Sequence, residues 1–174
     1  MIRLRRSAST TTLFACLIAV LCSGVGAAVL TGRVLRVDGN GRLVIADRGG
    51  AQYTVALAGI RLPALGEPFG KAAVDLLLRR VAGRFAVIAW NGRPAGPVRY
   101  GVVRVADRDV ALDLLLAGLA RIDPEQADRL DPPLRRRYEQ AEREARSQRR
   151  GLWGRPAPRA SPARPDPPGT SPPR

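Results

Sequence analysis

Between Val34 and Ile60 short apolar runs are cut at close intervals by turn residues, and that rhythm admits few architectures. Val34–Val37 reads as a strand ending at Asp38-Gly39-Asn40-Gly41, a cluster whose residues tolerate positive φ. Leu43–Ala46 returns as a second strand. Asp47-Arg48-Gly49-Gly50 turns the chain again, and Tyr53–Ile60 alternates as a third strand. Strands this short and this closely connected form a three-stranded meander.

Pro68 then opens a helical pattern through Arg80, with Ala72, Ala73, Leu76, Leu77 and Val81 on one face and Gly83 as the stop. Phe85–Trp90 and Val98–Ala106 read as two further strands, separated by the Asn91-Gly92-Arg93-Pro94 turn region. A second helix is expected over Asp109–Leu119. The last helix starts at Pro132 and Pro133, repeats Leu134, Tyr138, Ala141 and Ala145 on one face, and carries Glu139–Arg143 and Glu142–Arg146 as supporting i,i+4 pairs. Gly151 ends it. The expected class is therefore α+β: a five-stranded OB-fold barrel with about three helices, without internal repeats. Such barrels commonly bind oligonucleotides or oligosaccharides on a strand face and its loops.

The ends differ from this body. Arg3, Arg5 and Arg6 precede an apolar run from Leu13 to Val25 and the small residues Gly26, Ala27 and Ala28. Residues 1–28 thus read as a signal peptide, with an uncleaved membrane anchor as the alternative. Residues 29–154 form the folded domain. Residues 155–174, mainly Pro, Arg, Ala and Ser, read as a disordered tail, because they hold no apolar side chain large enough to offset ordering entropy.

Composition removes several chemistries. Histidine is absent, which excludes a Ser-His-Asp triad, a Cys-His pair and a His-based zinc site. Both cysteines, Cys16 and Cys22, lie in the leader, so the body has neither disulfides nor thiolate ligands. The formal charge is +14, from 29 Lys and Arg against 15 Asp and Glu. Such a field attracts polyanions, although Arg is abundant along the whole chain rather than gathered in one patch.

Val55-Ala56-Leu57-Ala58-Gly59-Ile60, Pro63, Gly66, Pro68-Phe69-Gly70, Arg99-Tyr100-Gly101, Gly118-Leu119-Ala120, and Ala141-Glu142 through Arg150-Gly151-Leu152-Trp153 follow one another in an order and spacing that resembles the staphylococcal-nuclease-like (thermonuclease) family. The resemblance covers almost the whole body. The glycines of these blocks serve turns and close packing, and Tyr100, Leu119 and Trp153 are expected in the core.

The resemblance implies a phosphodiesterase: calcium held by aspartates, a glutamate as general base, and two arginines that offset phosphoryl charge. On this chain those positions are replaced. The aspartate ending Asp-Gly-Asp falls on Asn40, leaving Asp38. The Ile-Asp-x-Pro-Glu block reads Ile60-Arg61-Leu62-Pro63-Ala64, so an aspartate becomes Arg61 and the base becomes Ala64. The two arginines fall on Ala56 and Val102. Three negative charges vanish and one positive appears, so calcium, the cofactor of an active member, is not expected, and neither are a metal site or catalytic residues.

Asp38 and Glu67 are the possible substitutes, with Asp107 and Arg99 as further members of a relocated constellation. Glu67 otherwise favours the start of the first helix. Arg61 either pairs with Asp38 across the former metal pocket or binds phosphate, as Arg99 also can. The resulting expectation is an exported, non-catalytic module of the periplasm or extracellular space that binds nucleic acid, another polyanion or a protein partner, with membrane association only if the leader is retained. An active nuclease with relocated residues and a structural or assembly protein are the rivals.

Overall fold

The turn clusters owe their shape to aspartates. In a computed structural model describing residues 28–90 and 96–154, the Asp38 carboxylate accepts the backbone N–H of Asn40 and of Arg42, both at 2.9 Å. Asp47 does the same for Gly49 and Ala51. These turns join β1 (Ala28–Val37), β2 (Leu43–Ala46) and β3 (Gln52–Leu57) as the expected meander. Next come β4 (Ile60–Arg61), α1 (Gly70–Val81), β5 (Phe85–Trp90), β6 (Val98–Val105) and β7 (Arg108–Asp109). The chain then forms α2 (Val110–Leu116), β8 (Arg121–Ile122), α3 (Pro124–Ala127), α4 (Pro132–Ser147) and a 3-10 turn at Gly151–Trp153.

β1 is longer than its apolar pattern suggests, because it serves two neighbours. Ala28–Arg33 pair with β5 and Arg33–Val37 pair with β2, with a register shift between Val34 and Arg36 that bends the strand. β5 pairs with β6, and parallel pairing of β3 with β6 closes the cycle β3-β2-β1-β5-β6. This is a closed five-stranded barrel, the OB-fold arrangement. Val34, Leu43, Ile45, Val55, Leu57, Ile88 and Val103 fill it, all at most 3% exposed.

The helices depart from the sequence pattern in detail. α1 begins at Gly70, not Pro68, since Phe69 sits in the left-handed region (φ 66°) and cannot belong to a right-handed helix. Its inner face is Ala73, Val74, Leu77 and Val81; Ala72, expected there, is exposed. α2 is shorter than expected, starting after its N-cap Asp109 and ending before Gly118, whose φ of 67° breaks the helix. The two-residue strands β4 and β8 and the four-residue α3 carry no readable period.

α2 and α4 pack over one end of the barrel. Asp109 accepts the N–H groups of Ala111 and Leu112 and also the Tyr138 hydroxyl, at 2.9 Å from Oδ2. Burial, and then the Asp109 charge, hold the Tyr138 proton far above the usual tyrosine range. On the neighbouring turn of α4, Glu142 accepts the Ile122 N–H at 3.0 Å and pairs with Arg146 at 2.8 Å. The end of α2 meets the chain's last turn: a Cβ on Gly118 would collide with the Arg150 carbonyl and one on Gly151 with the Gly118 carbonyl, while Leu152 N–H donates to Gly118 at 2.8 Å. The leader up to Ala27, the 91–94 turn and the tail from Arg155 lie outside the described residues. Among the described residues no helix is long and apolar enough to cross a membrane.

Candidate functional site

Two local assemblies carry the positions singled out by the sequence. In the first, the β1–β2 turn rests on the loop after β4: a Cβ on Gly39 would lie 2.7 Å from Leu65 Cδ1, and one on Gly41 2.7 Å from Leu62 Cδ2. The fold therefore does bring Asp38 and Asn40 beside the Arg61–Ala64 segment. In the second, β3 and β6 run in register, with Ala56 opposite Tyr100 and Leu57 opposite Gly101. Because Val55, Leu57, Gly101 and Val103 are buried, Ala56, Tyr100 and Val102 face outward. β3 leads through Ala58 and Gly59 into β4, linking the two assemblies.

The charged side chains are placed differently from expectation. Arg61 does not reach Asp38; it pairs with Asp123, at 3.1 Å from Oδ2. Asp38 is turned into its own turn by the two backbone N–H groups that its Oδ1 accepts, and it does not cross to meet Arg61. Glu67 does not serve the start of α1, which has no acid in its first turn. Its carboxylate accepts the Ala64 N–H at 3.1 Å and closes the loop. Asp107 lies in the turn past the far end of β6, away from the Tyr100-Gly101 end.

Arg99 is held between aromatic rings, with its guanidinium carbon 4.2 Å from the Tyr53 centroid and 5.1 Å from that of Trp90. Tyr53 in turn donates to Asp47 at 3.1 Å. Tyr100, expected in the core, is 45% exposed. Trp153, also expected there, is half-buried, with the Arg146 and Arg121 guanidinium carbons 4.2 Å and 5.1 Å from a ring centroid.

The staphylococcal nuclease homologue family matches the chain over residues 54–155, more than half of its length. The chain belongs to that family. None of the curated proteins compared with it matches.

The match begins in β3, so the Asp38-Gly39-Asn40 turn precedes it while Ala56, Arg61, Ala64 and Val102 lie inside it. Calcium, the ion of an active nuclease of this family, does not fit the residues present. Among the described residues no three His, Cys, Asp or Glu side chains gather closely enough to hold a metal. Asp38 already accepts two backbone N–H groups at Oδ1, and Arg61 adds a cation to the adjoining segment.

Sequence reading missed a neighbouring feature of this nuclease fold. β4 and β8 pair antiparallel, with Arg61 opposite Arg121, and both line a cleft of about 560 Å³ with Leu62, Pro63, Phe69 and Leu152. A two-residue strand leaves no alternation to detect. The only hint was a cation directly after Gly118-Leu119-Ala120.

Proposed function

We propose that this protein keeps the nuclease fold as a non-catalytic, exported module that binds a polyanion. The observation that carries the reading is the state of the two site assemblies. Ala64 supplies no base, Ala56 and Val102 supply no phosphate clamp, and the remaining aspartate, Asp38, is hydrogen-bonded into its turn. Loss of a general base costs about 10²- to 10⁴-fold and loss of a phosphate-stabilising donor about 10²- to 10³-fold. The excess of arginine favours anionic polymers, and the basic start and apolar run of the leader support export.

The test is hydrolysis of single-stranded DNA and RNA by the full chain with calcium, magnesium, manganese or chelator, alongside binding of the same strands across a salt series. The expected result is no cleavage with any metal and an affinity that falls steeply with salt. Metal-dependent cleavage abolished by Glu67→Gln establishes a relocated active site instead.

One observation favours a protein partner as a second reading. Val29, Ala89 and Val102 align across β1, β5 and β6 on the outer barrel surface, beside Val87 and Phe85, which are 44% and 67% exposed. An outward apolar strip of this kind marks interaction surfaces. Binding that is insensitive to salt and lost on Val87→Lys decides for it.

A further inference from the structure

The cross-strand pair Arg61–Arg121 is unusual because directly opposed residues of a two-stranded ladder stand on the same face, where like charges repel. Nearby carboxylates relieve this only in part, since an ion pair reaches one of the two arginines. Arg61 has one carboxylate partner, Asp123, and its side chain remains 73% exposed. Arg121 has no carboxylate partner among the described residues; it is steadied instead by the Trp153 ring, while the Glu142 carboxylate holds the next residue, Ile122, through its N–H. Glu67 is the carboxylate in the cleft wall; it accepts the Ala64 N–H, keeps its charge, and forms an ion pair with neither arginine.

The rest of the cleft is mostly apolar, with Leu62, Phe69 and Leu152 among its lining residues. Two guanidinium groups against low-dielectric walls concentrate positive potential on the cleft. Planar guanidinium forks match the oxygens of phosphate, and two of them match the two charges of a phosphomonoester better than the single charge of a carboxylate. The volume, about 560 Å³, falls in the range of small-molecule sites, roughly 300–1,000 Å³.

We propose that this cleft binds a small organic phosphomonoester, with the phosphate between Arg61 and Arg121 and an apolar ring or chain against Phe69 and Leu152. The site is separate from the outward β3–β6 face of Ala56 and Val102. It does not depend on polymer binding: a protein indifferent to nucleic acid still presents these two arginines over an apolar floor.

Isothermal titration of the full chain with cyclohexyl phosphate tests it, with inorganic phosphate and cyclohexanol as partial ligands. The expected result is saturable one-to-one binding with a dissociation constant below about 1 mM, at least tenfold weaker binding of inorganic phosphate, and none of cyclohexanol. Arg61→Gln and Arg121→Gln each weaken cyclohexyl phosphate at least tenfold, Arg121→Lys less so, and Arg104→Gln on the barrel exterior leaves it unchanged. Thermal melts followed by circular dichroism establish that each variant is folded. Arg61→Gln, at an exposed position, keeps the test decisive if Arg121→Gln does not fold. Absence of saturable binding, equal affinity for inorganic phosphate, or equal loss in Arg104→Gln overturns the assignment.

Discussion

At the seam between α2 and α4, Asp109, Tyr138 and Glu142 are buried and each is hydrogen-bonded, whereas on the β3–β6 face Ala56 and Val102 offer only methyl groups to their surroundings. Both regions lie within the stretch that matches the family, yet only one is built from polar residues. At the seam a single replacement strands a buried partner without water, so the residues are bound to one another. On the face a polar side chain replaced by a small one strands little. The outer face can therefore change side chains at little cost to the architecture, which is why family membership here speaks to fold before activity.

The comparison breaks most visibly at the close approach of α2 to the last turn. Gly118→Val places a β-branched side chain at φ 67° against the Arg150 carbonyl and is expected to cost on the order of 3–4 kcal/mol, read as a lowered urea midpoint. Asp109→Ala removes the α2 cap and leaves the Tyr138 hydroxyl buried and unpaired, a loss of about 2–3 kcal/mol by the same measurement. Stability in that region is also pH-dependent. The unfolded phenol ionises near 10.0 while the folded one holds its proton to higher pH. Above pH 10 the unfolded chain thus loses a proton that the native chain retains, and stability falls as pH rises. Tyr138→Phe lowers stability by about 1 kcal/mol at neutral pH and flattens that alkaline decline in a chemical-denaturation series.

The opposite outcome is expected on the site face. Ala56→Arg and Val102→Arg each change stability by no more than about 1 kcal/mol, since both positions face outward. Adding Asn40→Asp, Arg61→Asp and Ala64→Glu gives a protein whose melting temperature rises with calcium, while the parent's does not. A large loss in the arginine variants means that the outer face is also structurally constrained, and the contrast fails. Smallest of all, Arg143→Ala breaks a 4.0 Å exposed pair with Glu139 and costs at most about 0.5 kcal/mol.

Much of the barrel was legible because its signals are local. Asp38 and Asp47 announce their turns within four residues, and Tyr138, Ala141 and Ala145 repeat on one face of a long helix. Bounds failed where backbone geometry overrides pattern, as when the left-handed Phe69 delays α1 to Gly70. The placement of site positions was legible in part: the β1–β2 turn does rest on the 61–65 loop. Which carboxylate meets Arg61 was not, because Asp123 lies 62 residues away on a connection without periodicity, and Asp38 had a nearer use for its Oδ1. Arg121 was missed for the same reason, since its role arises only from pairing with Arg61 across a two-residue ladder.

The interlock of Gly118 with residues 150–152 also orders events during synthesis. All five barrel strands have been made once Val105 has been added, yet the carbonyls of Leu116 and Gly118 gain their partners only when Arg150 and Leu152 arrive. A nascent chain halted between those points has a complete set of strands with an unlatched helical cap. The last turn thus acts as the clasp of the domain, and a released, truncated chain ending before Arg150 should be open to protease along α2 while one ending after Trp153 is closed.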